Sequence, residues 1–148
     1  MFLEFLKTVH LHTPSQQIGM AIMACVGLYA AVRGGRIEQL GAALMLGAWI
    51  LTPFLVDLAP SGLDAVAVLA IDAGLLAALF ALALFGDRYW PLASAAFHLV
   101  GTVLHIAQFV DPEVALRERI VATYIFSYMT ILALAVGVAL EGRRRDAP

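Results

Sequence analysis

Three ionisable residues stand inside apolar runs: Asp72 within Leu63–Phe85, and His98 and His105 within Tyr89–Val110. Carboxylate and imidazole at neighbouring depth can exchange a proton, since histidine titrates near neutral pH and Asp–His chains inside membranes serve as proton relays. Only Gly86, Asp87 and Arg88 join the two runs, too few for anything but an antiparallel hairpin. In such a hairpin, residues whose numbers sum to about 174 share a depth, which sets Asp72 level with Thr102. His98 then lies on one side of that level and His105 on the other, each about 5–6 Å away along the axis. The two histidines are i and i+7, so they share a helix face with Thr102 between them.

Ser94 falls a turn before His98, and Gln108 about a turn after His105. The spacing predicts a polar stripe of Ser94, His98, Thr102, His105 and Gln108 with Asp72 facing it. Such a stripe is either a proton relay or a set of interhelical hydrogen bonds worth about 1 kcal/mol each. The packing role is the expectation for Ser94, Thr102 and Gln108. The chemical role is the expectation for Asp72 and His98, because their depth makes an idle ionisable group costly. His105, about 8 Å from the end of its helix, is open to both.

Intramembrane histidines also serve as axial ligands of haem and chlorophyll-type pigments. Seven residues along one helix separate His98 from His105 by about 10 Å, so one iron cannot take both. A single-histidine pigment site on His98 or His105 stays open, with the small residues Ser94 and Gly101 four positions earlier. A metal site on His10 and His12, helped by Asp57, Asp64 and Asp111, is the remaining ligand set, against a plain solvated rim. Other catalytic signatures are missing: no phosphate-binding loop, no G-x-S-x-G, no H-E-x-x-H and no C-x-x-C. No catalytic residue is assigned, and an enzyme is the less favoured reading.

The elements that must position these groups are membrane helices. Of 148 residues, 62% are hydrophobic and 14% charged, against about 25% charged in soluble domains. The mean hydropathy is +0.90. Charges gather at the ends of apolar runs, the pattern of a polytopic all-α membrane protein in contact with the lipid bilayer. A net charge of −2 gives no reason to expect nucleic acid. Cys25 is the only cysteine and is expected as a buried, inert thiol. The N-terminus does not read as a signal peptide, since Lys7 is the only base before the first long apolar run and Glu4 offsets it.

One domain over residues 1–148 is expected, with five spans at about 16–32, 37–56, 63–85, 89–110 and 120–140. Residues 1–13 are expected as an interfacial helix, because Phe2, Phe5, Leu6 and Val9 share one face. Trp49 lies deeper than an interfacial belt and should pack on a neighbouring helix. Tyr89 and Trp90 are expected at headgroup level, with Pro91 in the first turn of the fourth span. Gly19, Gly27, Gly41 and Gly47 suit close helix contact. Tyr124, Ser127 and Tyr128 put polar groups on nearly one face of the fifth span, toward the stripe or a subunit contact. Arg33, Arg36, Arg88, Arg143, Arg144 and Arg145 fall on one side of the membrane, and Lys7, Arg117 and Arg119 on the other. Six bases against three predict an outside N-terminus and a cytoplasmic C-terminus.

The string Asp87-Arg88-Tyr89-Trp90-Pro91-Leu92, followed by a helix carrying His98 and His105, resembles a group of small, functionally unassigned bacterial inner-membrane proteins. The Arg33-Gly34-Gly35 turn and the aromatic fifth span are similar to that group too. The resemblance implies a bacterial inner-membrane setting and a helical fold, and it brings no activity and no site residue. Small size, short loops and absent catalytic motifs lead to the first expectation, a non-enzymatic accessory or assembly subunit with other membrane subunits as partners. A proton- or ion-handling protein using Asp72, His98 and His105 is the second expectation, and a haem- or pigment-binding subunit the third.

Overall fold

The computed structural model describes residues 14–58, 63–110 and 116–146. They form five helices: α1 Pro14–Arg33, α2 Arg36–Leu58, α3 Asp64–Phe85, α4 Trp90–Val110 and α5 Leu116–Asp146. All five are long and apolar enough to cross a membrane, and the described residues contain no strand. The expected interfacial helix over residues 1–13, and with it His10 and His12, lies outside the described residues.

Each helix packs on the next in sequence, α1 also packs on α5, and α2 reaches α5 across the middle. The result is a closed ring in which consecutive helices are antiparallel, as short connections require, while α1 and α5, which close it, run parallel. Met23, Ala30, Met45, Leu79, Ile131, Leu134 and Val138 fill the centre. Outside, Leu28, Val32, Leu84 and Phe85 are exposed, an amount of outward apolar surface that water would not tolerate but lipid does. The chain thus has the architecture of a multi-pass membrane protein. Cys25 is exposed, which corrects the expectation of a buried thiol: its position on α1 turns outward.

Two tryptophans set the close contacts. Trp49 of α2 lies against Gly19 of α1, where an added Cβ would collide with its ring. Trp90, at the head of α4, is wedged between Gly41 of α2 and Gly137 of α5 in the same way. It is 6% exposed, whereas Tyr89 is 91% exposed. The expected pair of interfacial aromatics therefore splits. Tyr89 faces out, while Trp90 turns inward because two glycines leave its indole a slot and a buried acid accepts its N–H. Gly41→Leu or Gly137→Leu should overpack that slot and cost about 1–3 kcal/mol, read as a lowered midpoint of thermal unfolding in detergent. Gly27 and Gly47, expected at helix contacts, meet nothing within 4 Å where a Cβ would stand.

The turn between α1 and α2 is built on Gly34 and Gly35. A Cβ at Gly34 would stand 2.8 Å from the Cβ of Glu38, so only glycine fits. Gly35 N–H donates to Glu38 Oε2 at 2.9 Å, the return bond of a capping box that satisfies an orphan donor at the head of α2. α5 runs past the expected limit near Leu140, through Glu141 and Gly142 to Asp146. The charges there do not end the helix, because Glu141 is buried and Gly142 packs beneath the Arg33 guanidinium. At its other end α5 starts at Leu116, inside the segment expected as a loop, so the helix is more than a turn longer than expected at that end too.

Candidate functional site

Asp72 stands about two turns into α3. Its backbone carbonyl faces His98, whose Nε2 lies 3.1 Å away. The carboxylate lies between two imidazoles of α4: His105 Nε2 is 3.3 Å from Oδ2, and His98 Nε2 is 3.9 Å from Oδ1. The depth rule of the hairpin thus places one acid between two bases on the next helix. The geometry also divides their duties. His98 Nε2–H donates to the backbone of α3 and so joins the two helices, while His105 makes the closer approach to the carboxylate.

These groups line a cavity of about 240 Å³ in the half of the bundle nearer the start of α1. Every helix gives it a polar residue: Gln16 from α1, Thr52 from α2, Asp72 from α3, both histidines from α4, and Thr123, Tyr124 and Ser127 from α5. Met45, Trp49, Val68 and Leu75 supply apolar wall. Pro53 also lines it; lacking an N–H, it gives nothing to the Trp49 carbonyl one turn back. Thr52 caps the Ala48 carbonyl beside it, Oγ1 donating at 2.8 Å. Small polar ligands, water and protons suit this volume. Ser94, four positions before His98, is fully buried.

The expected stripe on α4 does not act as one unit. Ser94 Oγ donates to the Thr130 carbonyl of α5 at 3.1 Å, away from Asp72. Thr102 Oγ1 donates to the His98 carbonyl of its own helix at 3.0 Å. Both hydroxyls hold backbone and are spent on packing. The Gln108 side chain lies outside the described residues. On α5, Tyr124 and Ser127 face the cavity, while Tyr128 stacks near Tyr124 and donates its hydroxyl to the Ser15 carbonyl of α1 at 3.3 Å. Among the described residues no group of three or more His, Cys, Asp or Glu side chains is arranged to hold a metal ion.

A second polar cluster sits at the opposite end, and residue spacing gave no sign that its members meet. Glu38 of α2 is 0% exposed. Its Oε1 accepts from Trp90 Nε1 at 3.0 Å and lies 3.3 Å from Arg88 Nε, while Oε2 takes the Gly35 N–H. The other arm of Arg88 pairs with Glu141 of α5. One guanidinium in the α3–α4 turn therefore ties α2 to α5. The local signal was present in part: an acid three residues after Gly35 fits a capping box. Nothing in the sequence connects Glu38 with Glu141.

Comparison with known proteins adds no relative to this geometry: no protein-family model matches the chain, and no curated protein or solved structure matches it.

Proposed function

We propose that this chain is a proton-handling protein of a bacterial inner membrane, with Asp72, His98 and His105 as the exchanging groups. The observation that supports the reading is the carboxylate of α3 set between two α4 imidazoles on the wall of a polar-lined cavity. An ionisable trio inside a bundle is expensive to keep, and packing alone is achieved here by hydroxyls such as Ser94 at less cost. Under the preferred orientation, with the C-terminus cytoplasmic, the cavity belongs to the outer half of the membrane. His105, Tyr124 and Thr123 would then form its mouth, and Asp72 and His98 its floor.

The test is proton flux into sealed vesicles holding the purified chain, driven by a pH step and read by a trapped dye. Asp72→Asn should lower the flux about 100-fold or more, the scale of losing a positioned proton-transfer group, with helicity and elution volume unchanged. Wild-type vesicles no leakier than empty ones would defeat the proposal.

A second reading, an accessory or assembly subunit, is favoured by a separate observation. Gly27, Gly47 and Gly74 leave open space where a Cβ would point, and small residues on outer helix faces let another helix approach closely. Sizing after mild extraction tests it. A lone chain with no co-purifying subunit would count against it.

A further inference from the structure

At the end of the bundle opposite the Asp72 cavity, a groove of about 390 Å³ runs between the α3–α4 turn and the last turns of α5. Along α5, Gly137, Leu140, Glu141 and Arg144 recur at i, i+3, i+4 and i+7, so they share the face that borders the groove. Chemistry changes along that face. Gly137 lies under the Trp90 ring, Leu140 is half exposed, and Arg143 and Arg144 stand exposed above them. The groove also contains two acids, Asp87 and Glu141. Glu141 is held by Arg88, and Asp87 is exposed at the rim. Among the described residues neither Arg143 nor Arg144 is in an ion pair.

From this arrangement we infer that the groove binds an anionic phospholipid, its headgroup phosphate between Arg143 and Arg144 and an acyl chain over Leu140. The charge and the order of the surfaces argue for a lipid over a free anion. The cationic groups stand at the end of a helix of spanning length, where headgroups are expected, and exposed Leu140 lies about a turn further along the helix, on the hydrocarbon side of them. Basic recesses at membrane-helix ends suit phosphate headgroups in this way. The inference is independent of the proton-handling reading, because it uses the other end of the molecule.

Native mass spectrometry of the full chain in detergent, with phosphatidylglycerol and phosphatidylcholine of identical chains in competition, tests it. Wild type should retain phosphatidylglycerol preferentially. Arg143→Gln with Arg144→Gln should weaken that preference by about fivefold per arginine. Arg36→Gln, which removes charge from the same end but outside the groove, should keep it. Equal retention of the two lipids would overturn the inference. So would a loss in Arg36→Gln equal, per charge removed, to that in the double variant, which would mean diffuse attraction rather than a site. Displacement of phosphatidylglycerol by millimolar inorganic phosphate would overturn it as well, by making the groove a free-anion site.

Discussion

Arg88→Met should destabilise the folded chain by about 3–5 kcal/mol, the scale of removing one partner from a buried ion pair. The loss follows from what stays behind. Glu38 is fully buried, and without the guanidinium its charge keeps only the N–H groups of Trp90 and Gly35. Glu141 loses its pairing with Arg88 at the same stroke. Arg88→Lys should recover only part of the deficit, since an ammonium is a point charge and cannot reach two carboxylates on different helices as a planar fork does. Thermal unfolding of the three proteins in one detergent measures the series. Equal midpoints for wild type and Arg88→Met would mean that the α2–α5 tie contributes nothing.

His105→Phe should lower proton flux about 100-fold or more, because this imidazole makes the closer approach to the carboxylate. His98→Phe should lose flux and stability together, with about 1 kcal/mol lost for the bond to the Asp72 carbonyl. If His105→Phe keeps the wild-type flux, the role drawn for that imidazole from its distance to the carboxylate fails.

The five helices were legible because apolar runs of spanning length, bounded by charge and turn residues, leave a membrane chain few alternatives. The core of the site was legible for a related reason. A three-residue joint fixes the hairpin, and the hairpin fixes which depths meet, so Asp72 could be set beside His98 and His105 from numbering alone. What sequence spacing could not give was rotation about each helix axis between distant helices. Ser94 and Thr102 share a stripe with the histidines, yet one hydroxyl turns to α5 and the other to its own backbone. The same gap hid the end cluster. Trp90 next to an exposed Tyr89 reads as an interfacial residue, and only the meeting of Gly41 with Gly137 across the bundle makes room for it inside. Glu141, lying just before a run of arginines, reads as the end of a helix until Arg88 is seen beside it.

The most direct measurement of the central claim is the ¹⁵N spectrum of the imidazoles in the chain held in vesicles, recorded across neutral pH for wild type and Asp72→Asn. Both imidazoles lie within 4 Å of the one carboxylate, and the proton-handling reading has all three groups exchange protons as a set. The signals of both His98 and His105 should therefore move with pH in wild type, and both titrations should change when Asp72 loses its charge. Rings that stay silent across that range, or titrate identically with and without the Asp72 carboxylate, would contradict the account.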